Sequence, residues 1–156
     1  MTARRGFTLI EMLVVLSIVG ILAAAALPLQ QLVLRRSQEQ ALREGLRTIR
    51  TALDAHRTAV ESGRIAPGPD GSPWPANLDV LVQGVALSGD AGNQRLYLLR
   101  RLPRDPFAEA ALPAAETWAL RSSTSPPEAP APGRDVFDVR SRSDGQALDG
   151  SRYSHW

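Results

Sequence analysis

The 156-residue sequence contains no cysteine, and aromatic residues make up only 5% of it. The absence of cysteine excludes disulfides, thiolate-bound zinc and thiol catalysis. Lysine is absent as well, so no lysine can complete a phosphate-binding glycine loop. A small exported domain built from such a sequence must be stabilised by packing, by neighbouring chains or by a metal ion.

The sequence also lacks a marked excess of charge of either sign. Its 18 basic side chains, all of them arginine, exceed the 16 acidic ones by two. Arg4 and Arg5 account for that difference, and a chain without its first six residues has 16 of each sign. Basic excess therefore does not predict a nucleic-acid partner. The two histidines, His56 and His155, are not spaced for a nucleophile and its base, so we expect no enzyme activity.

A long apolar segment follows Glu11 and ends near Pro28. Its length matches the ~20 residues that a helix needs to cross a bilayer. A single segment in lipid must be helical because its backbone has no water to bond. Residues 7–29 are therefore predicted to form a transmembrane helix, and Arg4 and Arg5 favour a cytoplasmic N-terminus.

Glu11 is the acidic side chain at the start of this apolar segment. An ionised carboxylate inside hydrocarbon costs roughly 2.5–3.5 kcal/mol on insertion scales, so a partner of opposite charge is expected. The alternative is that Glu11 lies near the lipid headgroups and is simply solvated.

The run Gly6-Phe7-Thr8-Leu9-Ile10-Glu11 resembles the processing site of type IV pilins and of type II secretion pseudopilins. The resemblance implies that a prepilin peptidase cuts between Gly6 and Phe7, removing residues 1–6 as a leader peptide. It also implies that the new amino terminus at Phe7 is methylated. Glu11 then has a partner in the amine of Phe7 on a neighbouring subunit, and assembly neutralises both charges.

Three other interpretations of the N-terminus remain open. A secretory signal peptide would be cleaved near Ala23 to Ala26, although its apolar core is normally only ~7–15 residues and lacks an acid. Arg4 and Arg5 also resemble a twin-arginine export signal, which is a weak pattern. An ordinary uncleaved anchor explains the hydrophobicity but not the glycine, the phenylalanine and the acid together.

Beyond Pro28, a second pattern predicts that the helix continues as an amphipathic segment over residues 30–63. Proline either kinks or ends a helix at that point. Glu39 and Arg43 have the favourable order for a surface ion pair, and Gly63 is a suitable terminator. Six side chains recur at spacings of three and four and define one stripe: Leu42, Leu46, Ile49, Leu53, His56 and Val60. Together the patterns predict one long helix from about Phe7 to Ser62, and His56 is assigned no role.

Residues 64–156 are predicted to form one small periplasmic domain. The first expected elements are a proline-rich loop to Pro75, a short helix over 77–82 and a polar segment over 84–92. An extended segment over 97–107 follows, anchored by Tyr97, Leu102 and Phe107. Strands are expected over 117–121 and 135–140. A Pro/Ala-rich loop over 122–133 joins the two strands, which we expect to pair antiparallel on the helix stripe. The fold class is therefore α+β and type IV pilin-like, with a long N-terminal helix packed against a small antiparallel β-sheet.

The C-terminal half resembles the major pseudopilin of type II secretion in residues 98–107, in the Trp118 strand and in residues 136–145. It departs from that pattern in the loop over 122–133 and in the last ten residues. The resemblance implies a structural subunit of a periplasmic pseudopilus, held in the bacterial inner membrane by a single helix. Implied partners are other pseudopilins in a homo-polymer, the prepilin peptidase and the inner-membrane secretion platform.

Alternatives to that function are a minor type IV or competence pilin, a membrane-tethered periplasmic binding module that stays monomeric, and an exported soluble protein. The missing cysteines argue against a major pilin with a disulfide-bonded loop, but not against a minor one.

An oxygen-rich cluster lies near the end of the chain, where Ser141, Asp144 and Asp149 occur beside glycines. Calcium takes six to eight oxygen ligands from carboxylates and from carbonyls of loops that bend back on themselves. The resemblance implies Asp144 and Asp149 as calcium ligands, with Ser141 as a further candidate. The alternative is a plain Asp-Gly turn, which has the same composition.

Overall fold

The computed structural model describes residues 7–89 and 94–156, and within α1 it describes the backbone but not the side chains of residues 25–28. Two α-helices and four strands occur in these ranges: α1 (Leu9–Glu61), α2 (Asp79–Gln83), β1 (Val85–Ala86), β2 (Arg95–Leu96), β3 (Trp118–Arg121) and β4 (Asp138–Ser141). The chain divides into two compact units, Met1–Ser37 and Gln38–Trp156. A long N-terminal helix with small antiparallel sheets confirms the α+β class predicted from the sequence.

The prediction of one long helix is confirmed, because α1 continues through Pro28 and ends at Glu61. Gly63 then adopts a left-handed conformation with φ of +71°. Its N–H donates to the Val60 carbonyl at 2.9 Å, and the N–H of Arg64 donates to the Ala59 carbonyl at 2.9 Å. These bonds satisfy carbonyls that the last helical turn leaves without partners. Gly63 is therefore the helix terminator that its position in the sequence predicts.

The apolar stripe of α1 forms one wall of the core of the second unit. Leu42, Leu46, Ile49 and Leu53 are each at most 3% exposed. Each such side chain contributes about 1.5–3 kcal/mol by leaving water. The other buried members of this core are Ala52, Trp74, Leu78, Leu81, Trp118, Val136, Val139, Ala147 and Tyr153.

The larger sheet consists of β3 and β4, which pair antiparallel as the sequence predicts. Trp118 lies opposite Ser141, and Arg121 lies opposite Asp138. The second strand begins three residues later than expected because Val136 donates its N–H to the Pro75 carbonyl at 2.8 Å rather than to β3. Phe137 already donates its N–H to the Arg121 carbonyl of β3 at 2.8 Å, so only Asp135 and Val136 form a buried connection before the pairing with β3 begins.

Trp118 connects this sheet to the helix. Its ring is completely buried, and its Nε1–H donates to the Pro103 carbonyl at 2.9 Å. A Cβ atom at Gly45 would lie 3.3 Å from two carbons of the Trp118 ring, Cη2 and Cζ2. A glycine inside a helix costs about 1 kcal/mol relative to alanine. Here it allows the indole ring to approach the helix backbone.

The smaller sheet was not expected from the sequence. β1 and β2 pair through Val85 with Leu96 and Ala86 with Arg95. The prediction of a polar, glycine-rich segment over 84–92 missed the first of these strands, since two residues are too few for an alternating pattern to appear. The rest of that segment, from residue 90 onward, lies outside the described residues.

Two predictions for neighbouring segments need correction. Tyr97 was predicted to anchor the segment over 97–107, but it is 62% exposed, whereas Leu102 and Phe107 do pack against the core. The reason is that β2 ends at Leu96 and directs the next side chain outward. The short helix predicted over 77–82 is found as α2, which begins two residues later, at Asp79, and ends one residue later, at Gln83. The Asn77 side chain accepts the N–H of Val80 at 3.2 Å and thus caps it.

Candidate functional site

The first turn of α1 carries reciprocal contacts between Thr8 and Glu11. The Glu11 N–H donates to Thr8 Oγ1 at 3.3 Å, and the Thr8 N–H lies 3.5 Å from Glu11 Oε2. This is a capping box, in which a threonine and a glutamate three residues later satisfy amides at the start of a helix. The Thr-x-x-Glu spacing is itself a sequence signal for this role, which the charge argument for Glu11 overlooked.

The capping contacts leave the Glu11 carboxylate available for another partner. Glu11 is exposed, and its contact with the Thr8 amide is at the long limit for a hydrogen bond. Within residues 7–89 and 94–156, Oε1 of Glu11 has no hydrogen-bond partner. Phe7, four residues earlier, is 75% exposed, and Gly6 lies outside the described residues. Cleavage after Gly6, methylation of Phe7 and a charge pair at Glu11 stay predictions.

An apolar surface covers the described part of the first unit. By length and composition, α1 is the only helix in the described ranges that is apolar enough to cross a membrane. A surface of this size requires lipid or neighbouring helices as a partner. Its large exposed side chains are Phe7, Leu9, Ile10, Met12, Leu13, Val14, Val15, Leu16, Ile18, Val19, Ile21, Leu22, Leu29, Leu32, Val33 and Leu34.

Ser141, predicted as a further calcium ligand, lies in the interior instead of in the exposed loop. It is the last residue of β4 and is 1% exposed. Its hydroxyl donates to Oδ2 of the buried Asp105 at 2.6 Å and accepts the N–H of Ser143 at 3.0 Å. Asp105 also accepts the N–H of Phe107 at 2.8 Å. The Ser141 hydroxyl and the Asp105 carboxylate therefore bind the chain around residue 105 to the end of β4.

Asp144 and Asp149, the two predicted carboxylate ligands, are both exposed. Oδ1 of Asp149 accepts the hydroxyl of Ser151 at 2.6 Å and its N–H at 2.9 Å, while Oδ2 lies 3.6 Å from Nη2 of Arg43. The Ser151 hydrogen bonds hold the pKa of Asp149 below its usual value, and Arg43 adds to this effect.

The fit of this loop to a calcium ion is incomplete. Among the residues that the structure describes, no three His, Cys, Asp or Glu side chains come together in a group that could hold a metal. Calcium favours six to eight oxygens, so backbone carbonyls would have to supply most of them. The calcium site at Asp144 and Asp149 stays a prediction, and Ser141 is not placed to take part in it.

Glu39 is a second correction to the sequence analysis. It was predicted to form a surface ion pair with Arg43, but it is only 5% exposed. Its Oε1 accepts the N–H of Leu148 at 2.8 Å and the hydroxyl of Tyr153 at 3.0 Å. Arg43 instead lies 4.2 Å from the ring centroid of Trp156 and beside Asp149. Glu39 and Arg43 therefore both contact the C-terminal segment and do not pair with each other.

Asp135 is the centre of a buried polar cluster that no sequence pattern indicated. It is 1% exposed and accepts four hydrogen bonds of 2.6–2.9 Å, from the hydroxyls of Ser72, Ser122 and Ser123 and from the Ser123 N–H. Burial raises the pKa of Asp135, but the hydrogen bonds from Ser122, Ser123 and Ser72 outweigh it and hold the pKa far below the usual value. The carboxylate is thus kept ionised without a cation beside it.

His56 completes the buried polar groups of α1. It is 2% exposed, and its Nδ1 lies 3.0 Å from the Pro73 carbonyl, so the proton is on that nitrogen. Burial lowers the pKa of His56 more than this hydrogen bond raises it. The neutral ring is therefore part of the packed interior of the second unit.

Comparison with known proteins places a defined motif at the start of the chain. A family model described as the prokaryotic N-terminal methylation motif matches residues 1–27. The matched range includes Gly6, Phe7 and Glu11, and it ends one residue before Pro28.

Several curated proteins are similar over part of the chain. The chain is 47% identical over 55 residues to the type IV major alpha-pilin of Moraxella bovis and, with the same identity and length, to fimbrial protein Q of that organism, covering 35% of each chain in both cases. It is 41% identical over 63 residues to the type IV major fimbrial protein FimA of Dichelobacter nodosus, covering 40% of this chain and 38% of that protein.

The chain thus spans about a third of the length of the curated relatives it matches. No solved structure matches it significantly. The methylation motif and the pilin and fimbrial relatives are therefore similarities over part of this chain.

Proposed function

We propose that this chain is a structural, non-enzymatic fibre subunit that a prepilin peptidase matures after Gly6 and that assembles through α1. The observation that carries the proposal is the methylation motif over residues 1–27. Such a motif needs its apolar helix in the membrane first, where the enzyme acts, and in contact with other subunits afterwards. The apolar side chains of α1 supply a surface for both environments.

The finer part of the proposal is that the fibre is the periplasmic pseudopilus of a type II secretion system. The resemblance of residues 98–107 and 136–145 to the major pseudopilin supports it. The chain then stands in the inner membrane with Arg4 and Arg5 in the cytoplasm and residues 64–156 in the periplasm. Its partners are further pseudopilins, the prepilin peptidase and the inner-membrane secretion platform.

A second candidate is a subunit of a type IV or competence pilus. The observation that favours it is that the relatives above are named as pilins and fimbrial proteins. Both candidates use the same N-terminal chemistry and differ in the machine that the fibre serves. A monomeric, membrane-tethered binding module differs from both, because it requires neither leader cleavage nor Glu11.

In either fibre, Glu11 sets the register between subunits. Hydrolysis of the Gly6–Phe7 bond frees the amine of Phe7, a methyl donor then supplies the methyl group, and an adjacent subunit presents its Glu11 carboxylate to the resulting ammonium. In a low-dielectric environment the two charges attract strongly and each is costly without the other. The capping box with Thr8 orients the carboxylate at the start of the helix before it is used.

Intact-mass and N-terminal mass spectrometry of the chain from its membrane fraction tests the proposal. We expect a mature chain that lacks residues 1–6 and begins with N-methylated Phe7. A Gly6→Leu variant should keep all six leader residues and stay unmethylated, because the peptidase needs a residue without a side chain at the cleaved bond. A mature chain that begins near Leu27 would instead identify a secretory signal peptide and contradict the proposal.

We further propose, on the resemblance alone, that calcium binds near Asp144 and Asp149. If it does, millimolar calcium raises the melting temperature, since a ligand at 100 times its dissociation constant stabilises the folded state by about 2.7 kcal/mol. An Asp144→Asn/Asp149→Asn variant should lose that increase, whereas Ser141→Ala should keep it. Equal melting temperatures with calcium and with a chelator would contradict the site.

A further inference from the structure

A cavity of about 320 Å³ lies in the second unit beside the β3–β4 sheet. Three of its walls are the two strands, the loop over 122–133 and the C-terminal segment. Its lining includes more basic than acidic side chains. The charged and titratable residues in the lining are Arg50, Arg121, Glu128, Asp138, Arg140 and His155.

The strand register brings two of these arginines together. Side chains alternate between the two faces of a strand. Trp118 in β3 and Val139 in β4 face the core, so Arg121, three residues after Trp118, and Arg140, one residue after Val139, both lie on the opposite face. Arg121 pairs with Asp138, and Arg140 lies two residues farther along β4. Diagonal neighbours of this kind are roughly 7–8 Å apart, which is within reach of long side chains.

Both guanidinium groups have buried donors without acceptors. Nε of Arg121 and Nε of Arg140 are inaccessible to solvent and have no hydrogen-bond partner among the residues that the structure describes. Their Nη2 atoms only lie at the limit of hydrogen bonding, 3.5 Å from the Ser125 carbonyl and 3.4 Å from the Pro130 carbonyl. Unsatisfied buried donors are unusual in folded proteins and are costly when the group is charged.

The acidic side chains of the cavity do not neutralise these two arginines. Asp138, which faces Arg121 across the sheet, binds Arg50 instead, with its Oδ1 2.8 Å from Arg50 Nε. Arg50 Nη2 donates in addition to the carbonyls of Val139 and Trp156, at 3.0 and 2.5 Å. Glu128 is exposed at the rim of the cavity. Arg121 and Arg140 therefore have no carboxylate within ion-pair distance among the described residues.

We propose that this cavity binds a small tetrahedral oxyanion, a phosphate group, between Arg121 and Arg140. A phosphate group carries about −1.5 to −2 charges at pH 7, which complements the guanidinium groups of Arg121 and Arg140, and its oxygens accept hydrogen bonds from their Nη–H groups. The volume is at the low end of the ~300–1,000 Å³ range of ligand pockets, so the anion must be small. This inference does not depend on assembly into a fibre.

Calorimetric titration of the full chain in a zwitterionic detergent, with inorganic phosphate at constant ionic strength, tests the site. We expect saturable binding with one phosphate per chain. Arg121→Gln and Arg140→Gln should each weaken it by about tenfold or more, since each removes a charge-assisted hydrogen bond. Arg134→Gln is the matched control, because Arg134 is an exposed arginine outside the cavity whose one ion pair among the described residues is with Asp70, at 3.4 Å. The affinity of the Arg134→Gln variant for phosphate should equal that of the wild type.

Two further measurements separate loss of binding from loss of folding. The Nε–Hε resonances of Arg121 and Arg140 should shift on adding phosphate, while that of Arg134 stays in place. Phosphate should also raise the melting temperature of the wild type and of Arg134→Gln, but not that of Arg121→Gln or Arg140→Gln. Since the two Nε donors lack partners in the free chain, these variants should melt close to the wild type without phosphate.

The source of the phosphate group is distinguished by methyl phosphate, which mimics an ester on a larger molecule. Binding equal to that of inorganic phosphate indicates such an ester, and failure to bind indicates the free ion. Three results would overturn the proposal: no saturable signal with millimolar phosphate, the same loss of affinity in Arg134→Gln, or acetate binding as tightly as phosphate.

Discussion

A Glu11→Val variant is expected to enter the membrane normally and to be absent from fibres. Valine removes a carboxylate whose insertion costs roughly 2.5–3.5 kcal/mol in hydrocarbon, so the membrane helix becomes easier to insert. In the proposed fibre, the methylated amine of Phe7 on the neighbouring subunit would then lack a counter-charge, and an unpaired buried charge costs several kcal/mol. The amounts of the variant in the membrane fraction and in sheared, sedimented fibres measure the two outcomes separately.

The capping box provides the control for this experiment. Thr8→Val removes the hydroxyl that accepts the Glu11 N–H but keeps the carboxylate. Loss of a cap costs only about 0.5–2 kcal/mol, and most of the helix lies far from it. We expect Thr8→Val to form fibres at nearly the wild-type level. If it fails as completely as Glu11→Val, the role of Glu11 is capping, and the charge pair between subunits is contradicted.

Bacteria that carry the Glu11→Val or the Thr8→Val variant also show which assembly system the fibre belongs to. In a type II secretion system, loss of the fibre by Glu11→Val leaves secreted proteins in the periplasm. In a type IV or competence pilus, it removes surface fibres or DNA uptake and leaves secretion unchanged. A tethered binding module would keep its activity in both strains, which would contradict the fibre proposal altogether.

The second large effect is expected at Asp135, where replacement with alanine should lower the free energy of unfolding by roughly 3–5 kcal/mol. The variant leaves the hydroxyls of Ser72 and Ser122 buried without their acceptor, at residues that are 5% and 1% exposed. Denaturant unfolding followed by circular dichroism measures the change. Glu44→Ala is the matched control, because Glu44 is exposed on α1, and it should change stability by less than about 0.5 kcal/mol.

Asp135 also predicts a dependence of stability on pH. Its pKa in the folded chain lies below the value of about 3.9 in an unfolded chain, so the folded state binds fewer protons. Its stabilisation is fully present above pH ~4 and decreases as the pH falls further. The lowered pKa of His56 adds a loss of stability that begins as the pH falls below about 6.5. This loss is the same in the wild type and in a variant at Asp135.

We therefore expect the free energy of unfolding to fall more steeply between pH 5 and 2 in the wild type than in Asp135→Asn, a range chosen to bracket the ~3.9 of an unfolded aspartate. Asparagine retains a hydrogen-bonding side chain of the same shape but does not titrate. Parallel curves for the two proteins would show that Asp135 is not ionised in the folded domain.

The cluster around Asp135 also shows why part of this molecule was not predictable. Ser72 is 63 residues from Asp135 in the chain, and Ser122 is 13 residues away. Neither spacing belongs to a local pattern, because the contacts form only when the loop over 122–133 folds back onto the segment before Trp74. The same reason explains the buried Glu39, whose partners Leu148 and Tyr153 lie more than 100 residues away.

Elements with a repeating local pattern were predicted well. The leucine stripe indicated α1 because a helix repeats every 3.6 residues, and its buried face matches that stripe from Leu42 to Leu53. Alternation indicated β3 and part of β4. The two-residue strands β1 and β2 have no period to detect, and the exposure of Tyr97 depends on where β2 ends.

The sequence by itself determined the long helix, its apolar first half and the motif around Gly6, Phe7 and Glu11, because each depends on residues that are close together in the chain. Only the tertiary structure decided which polar side chains are buried and paired, since that depends on contacts between distant segments. It turned Ser141 inward to Asp105 and placed Arg43 beside the C-terminal segment instead of Glu39. It also left the Nε donors of Arg121 and Arg140 without an acceptor among the described residues. Local periodicity is set by the backbone, whereas the balance of buried charge is set by the whole domain.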